Sequence, residues 1–192
     1  MSEFADDAFT PASGKLGQLI YENPGKEIAP RLEFAIDIPF EAFEAEDEEV
    51  STSLWLNGIR PDVKSWAELE GTSCETKVLY QVDGSVMLFG EMNPVEISKL
   101  EFGKISGQTI EVSIEAEIDF EQGAEPDYGL VPLNLQMSLA VDSLRIATSL
   151  DKRFKSDPAA IAAEIGDAAD LSAYGELEKV PGGMAYPVKA SA

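Results

Sequence analysis

Residues 108–120, QTIEVSIEAEIDF, alternate Ile110, Val112, Ile114, Ala116, Ile118 and Phe120 with Glu111, Ser113, Glu115, Glu117 and Asp119. A period of two held over this length specifies a strand with one face in a core and the other in water. The solvent face carries four carboxylates and no base. Same-face neighbours on a strand lie about 6.8 Å apart, so these groups repel one another unless cations or a partner's basic groups approach.

Residues 31–38 place Leu32, Phe34, Ile36 and Ile38 on one side, and Pro39, which lacks an N–H, ends the ladder. Residues 51–56 form a strand ending at the turn Asn57-Gly58. Strands 77–82 and 85–90 flank Asp83-Gly84, a two-residue hairpin signal. Asn93-Pro94 opens 95–105, whose alternation slips near Ser98-Lys99, and a bulge there restores one apolar face. Ser106-Gly107 turns the chain into 108–120, and residues 122–129 form a loop. Leu133, Leu135, Met137, Leu139 and Val141 alternate again, with a second phase slip before Leu144 and Ile146. Strands this dense between turns predict a mainly β fold, an antiparallel sandwich or barrel of consecutive hairpins. One short C-terminal helix is expected at 158–169, capped by Asp157 with Pro158 at its first position and Ile161 and Ile165 on one face. Ser65 caps a short helical turn at 66–69 that stops at Gly71.

Residues 1–30 are rich in Pro and Gly and predict an arm or irregular segment, with 15–21 as a short edge strand. Residues 31–150 form the β domain, and 151–192 supply the helix and a tail packed on it. The acidic run at 41–49 reads as a solvated loop.

Composition narrows the chemistry. The 192 residues carry a formal net charge of −22. That disfavours nucleic acid, whose phosphates need Lys and Arg, and anionic membrane surfaces. It suits a basic protein partner, plain solubility or a saline habitat. No secretory leader and no long apolar helix is evident, and Cys74 is the single cysteine, so a cytoplasmic setting is the expectation. The chain has no histidine, which excludes Ser-His and Cys-His nucleophiles and Cys/His zinc sites. Carboxylate, lysine or tyrosine chemistry, hard-cation binding or no chemistry remains.

Between Lys104 and Arg145 there is no Lys or Arg. Glu111, Glu115, Glu117 and Asp119 are therefore the candidate partner-binding residues, a docking face for a basic protein or a decoy for a nucleic-acid-binding surface. The competing interpretation is an ordinary water-facing sheet side, neutralised by Lys77, Lys99 or Lys104. Ser149-Leu150-Asp151-Lys152 has the spacing of a lysine-activated serine but falls at an expected strand end beside Arg153 and Lys155. Carboxylate-rich loops at 44–49 and 121–127 lack the calcium-loop pattern. Trp55 and Trp66 read as core, and Cys74 has no basic neighbour to activate it. No catalytic residue, metal site or cofactor is expected. The leading expectation is a non-enzymatic acidic interaction protein, such as a toxin-neutralising immunity protein or inhibitor. The alternatives are a structural subunit of a larger assembly that uses its N-terminal arm, with homo-oligomerisation open, and a small-ligand barrel or carboxylate-based hydrolase.

Overall fold

The computed structural model describes residues 4, 8–74, 82–121 and 128–189. In chain order the elements are β1 (Lys15–Asn23), β2 (Ile28–Pro39), β3 (Phe43–Ala45), β4 (Glu48–Val50), β5 (Ser53–Ile59), β6 (Ser73–Cys74), β7 (Asp83–Leu88), β8 (Glu91–Ser106), β9 (Thr109–Asp119) and β10 (Leu130–Ile146). Helices α1 (Thr148–Phe154) and α2 (Pro158–Ile165) follow, then β11 (Glu178–Val180) and β12 (Gly183–Tyr186). The fold is mainly β. Strands β1-β2-β5-β7-β8-β9-β10 pair in that order, and β10 pairs back to β1, closing a seven-strand barrel. Every seam is antiparallel except β1–β10, which is parallel.

That closure revises the place of the N-terminal segment. Residues 15–21, expected as an edge strand in an arm, make up most of β1, with β2 on one side and β10 on the other. The inward positions Leu16, Gln18, Ile20 and Glu22 are all buried. The segment therefore contributes core as well as backbone pairing.

The two phase slips in the sequence become bulges, and a third bulge stands where a turn was expected. Ile97 pairs Ala116 and Lys99 pairs Glu115, so Ser98 is the extra residue, and Val95, Ile97, Leu100 and Phe102 all face inward. Leu16 pairs Val141 and Gln18 pairs Leu144, which places the second slip at Asp142-Ser143 and keeps Val141, Leu144 and Ile146 inside. Asn57-Gly58 does not end its strand. It forms a bulge within β5, because Ile36 pairs Leu56 while Phe34 pairs Ile59.

The hairpin expected at Asp83-Gly84 is displaced. Asp83 pairs Asn57 and Gly84 pairs Leu56, so both lie in β7 rather than in a turn. A Cβ on Gly84 would stand 2.7 Å from the Val95 carbonyl oxygen and 3.2 Å from Leu56. Gly is needed there for close packing. The turn lies instead at Phe89-Gly90, where Leu88 pairs Glu91 and both turn residues have positive φ, 51° and 82°. The preceding strand expected at 77–82 falls outside the described residues except for Val82, as does most of the loop expected at 122–129. The acidic run 41–49 is likewise a hairpin, β3–β4, that turns at Glu46-Asp47 and sends Phe43 and Ala45 into the core.

Both ends of the barrel are filled. Phe9, Phe40, Phe43, Phe120 and Tyr128 are buried together at one end, where Phe4 stacks on Tyr128 at 3.9 Å between ring centroids. At the other, Trp66, Leu69, Leu150, Ile161, Ile165 and Tyr174 join the same core. The helix expected at 158–169 is α2, and a further helix, α1, forms at Thr148–Phe154 where a strand end was expected. Asp157 caps α2 by accepting from the Ala159 and Ala160 N–H groups, and α2 ends at Ile165. Ser65 precedes a short 3₁₀ turn at Trp66–Glu68, and its hydroxyl meets the Glu68 carboxylate rather than a backbone N–H.

One polar network crosses the barrel wall. Tyr174 Oη donates to Gln18 Oε1 at 2.6 Å, and Gln18 Nε2 donates at 2.7 Å to the Asp142 carbonyl of the β10 bulge. Burial pushes the Tyr174 hydroxyl well above its ordinary range.

Two outcomes follow from this packing. Gly84→Ala lowers stability by about 1–3 kcal/mol, read as a shift of the urea midpoint, because the backbone opposite cannot withdraw. Tyr174→Phe costs about 1 kcal/mol at neutral pH by orphaning Gln18 Oε1. The fold favours the neutral phenol, so this contribution is present below about pH 10 and lost above it. Alkaline destabilisation is therefore shallower in Tyr174→Phe, though not abolished, since burial also raises Tyr128 and Tyr186.

Candidate interaction face

Strand β9 presents its two faces as its alternation dictates. Ile110, Val112, Ile114, Ala116 and Ile118 are buried. Glu111, Glu115 and Glu117 are exposed, and Ser113 and Asp119 are half-buried on the same outer side. All four candidate carboxylates thus share one face.

The flanking strands decide what that face is worth. On the β10 side Glu111 lies opposite Ser138, Glu115 opposite Asn134, Glu117 opposite Pro132 and Asp119 opposite Leu130, with no base among them. On the β8 side Lys99 lies opposite Glu115, and its Nζ sits 3.0 Å from Glu101 and 3.7 Å from Glu115. The hydrogen bond to Glu101 raises the Lys99 pKa above its ordinary value. Lys99 therefore neutralises the middle of the stripe from within the protein. Lys104 is exposed at the second β8 bulge and enters neither ion pair. Lys77 lies outside the described residues.

Further along, the pattern changes. Glu96 lies directly opposite Glu117 on adjacent strands, and Pro132 takes the position on the other side of Glu117. Like charges set directly opposite destabilise a sheet. Among the described residues neither carboxylate has an ion-pair partner. The negative focus is Glu96–Glu117, and Glu96 was not among the residues the sequence singled out. Its strand phase is hidden by the bulge at Ser98, so only the register reveals the pairing.

At the height of Glu101 and Glu111 the face is hollowed into a groove of about 630 Å³, with Thr72, Ser113 and Gln136 in its lining. Among the described residues no group of three or more acidic or cysteine side chains converges as a metal site would require. The carboxylates at 44–49 are spread along a hairpin, with Glu44 opposite Glu49.

Other singled-out residues resolve individually. Ser149 and Lys152 sit in α1, the helical setting that a lysine-activated serine needs, yet Lys152 is exposed and no hydrogen bond joins the pair. Arg153 is occupied by the protein's own acids, with Glu22 at 2.9 Å and Glu164 at 2.8 Å. Cys74 is half-buried, and burial pushes its thiol pKa up. Trp66 is core, but Trp55 faces outward between Asp37 and Ser85 and is only partly covered. Among the described residues no helix is long and apolar enough to cross a membrane.

The electrostatics predict opposite effects for neighbouring neutralisations. Glu117→Gln raises stability at low salt by less than about 1 kcal/mol, through relief of the Glu96 repulsion. Glu115→Gln gives no gain, because it removes a Lys99 partner. Thermal melts at two ionic strengths check both, and the Glu117→Gln gain shrinks as salt rises. No protein-family model matches the chain, and neither a curated protein nor a solved structure is significantly similar to it.

Proposed function

We propose that this chain is a non-enzymatic binding protein whose outer β8–β9–β10 face takes a basic protein surface, with a toxin-neutralising immunity protein or similar inhibitor as the concrete form. The observation that carries this reading is the Glu96–Glu117 pair, two carboxylates opposed across a strand seam with no ion-pair partner among the described residues. A Lys or Arg from a partner, placed between them, converts a repulsion into two attractions. The overall charge of −22 adds long-range steering toward such a partner. The free thiol of Cys74 goes with a cytoplasmic setting. The assembly alternative would have to draw on segments other than β1, since both edges of β1 are already paired.

The test is a pull-down at low salt with the chain as bait. Glu115→Lys with Glu117→Lys abolishes recovery of the basic partner, and so does adding about 0.5 M salt, which shortens electrostatic reach to a few ångströms. Glu176→Lys with Glu178→Lys makes the same net charge change at exposed positions elsewhere and leaves recovery intact. Equal loss in both double variants would reduce the effect to overall charge and remove the role of this face.

A further inference from the structure

Beside the acidic face, the barrel carries an apolar surface that its core does not use. Met87 and Met92 pair across the β7–β8 hairpin and remain 41% and 62% exposed, and Phe89 at the hairpin tip is 40% exposed. Together with the half-covered Trp55 and with Val50 from β4, Met87 and Phe89 line a groove of about 420 Å³. A cluster of exposed large apolar side chains on a strongly charged protein marks an interaction site.

The turn itself points the same way. Phe89-Gly90 is a two-residue hairpin loop with positive φ at both positions, a turn that favours Asn-Gly. A bulky aromatic residue at φ 51° is strained, and Phe89 gains no full burial in return.

The charge around the groove selects the occupant. No Lys or Arg occurs in 32–59 or in 82–98, the segments that supply its walls. Glu48 and Glu49 lead into Val50, and Glu91 follows Gly90; all three are exposed. On β8 the outward series then runs from Met92 through Pro94 to Glu96, so the apolar surface passes directly into the negative focus. We propose that this groove receives an aromatic or branched aliphatic side chain from a basic peptide segment, so that the partner is a cationic amphipathic chain rather than a merely cationic surface. The inference rests on reading the chain as a binder of basic proteins and names the short-range half of that recognition.

The experiment compares two synthetic peptides of equal charge, Lys-Lys-Leu-Lys-Lys-Phe-Lys-Lys and its analogue with Ser in place of Leu and Phe. They are titrated calorimetrically into the full chain, with methyl NMR following Met87 and Met92. The apolar-bearing peptide binds about ten- to a hundredfold tighter, as burial of one such side chain would give, and shifts both methyl signals. Met87→Ser with Met92→Ser removes that advantage and leaves binding of the Ser analogue unchanged. Phe89→Asn reduces the advantage while raising the melting temperature by relieving the turn. Equal affinity for the two peptides overturns the groove and leaves the acidic face standing, whereas no binding of either overturns both. Equally tight binding of a version with Ser in place of every Lys refutes a basic occupant. Methyl shifts that follow the protein's own concentration, with a dimer in sedimentation, assign the groove to a second copy instead.

Discussion

The parallel seam between β1 and β10 is the constraint on which the rest depends. Without β1, strands β2 and β10 would each present an unpaired edge, and the inward side chains on both would face water. Inserting β1 satisfies both edges with one strand and removes the unpaired backbone that promotes aggregation. The seam accommodates the β10 bulge, and the bulge carbonyl of Asp142 is taken up by Gln18. Gln18 is in turn held by Tyr174 from the C-terminal segment. A slip of β1 by one residue would turn Gln18 outward and leave both partners unsatisfied, so the buried network fixes the register as well as stabilising it.

What could be read beforehand follows from how local each cause is. The alternation of β9, the bulge at Ser98, the slip before Leu144 and the Asp157 cap of α2 are all written within a few residues of where they act. Asp83-Gly84 misleads because two distinct demands select glycine. A turn needs positive φ, whereas β7 needs the missing Cβ so that Val95 and Leu56 can approach. The second demand comes from a strand eleven residues away and has no local sign. Trp55 misleads for a related reason: its neighbours Leu54 and Leu56 set the strand's phase and fill the core, which sends the tryptophan outward. The placement of β1 was hidden because its partner β10 lies over a hundred residues later, and the Pro and Gly around it suggest irregularity.

The candidate site was half legible on the same terms. Strand periodicity alone puts Glu111, Glu115, Glu117 and Asp119 on one side. Which of them is compensated depends on register across two seams, and register depends on the bulge. Lys99 meets Glu115 because Ser98 is skipped; the same offset leaves Glu96 against Glu117. One inserted residue therefore sorts a uniform row of acids into a part neutralised by Lys99 and a part with no ion-pair partner among the described residues. Elsewhere the protein places its cations economically, as with Arg153 between Glu22 and Glu164. Among the described residues the opposed pair on β8 and β9 has no such cation, and neither has Glu44 opposite Glu49 in the β3–β4 hairpin.

Charge alone makes a poor recognition device on the outside of a barrel. At physiological ionic strength its reach is about 8 Å, and any sufficiently basic surface can answer it. Side chains on the outer face are also free to move, so each ion pair formed there contributes little. Specificity needs a short-range contact that fails when the shape is wrong. The groove beside Trp55 and Phe89 supplies apolar surface of that kind, next to the negative focus and on strands whose register is held by the barrel. On the proposed reading the two parts divide the work: the carboxylates gather basic partners, and the groove admits those that carry an apolar side chain at the right distance from their charges. The strained turn at Phe89 is then the local cost of holding an aromatic ring at the entrance, where a fold selected for stability alone would carry Asn.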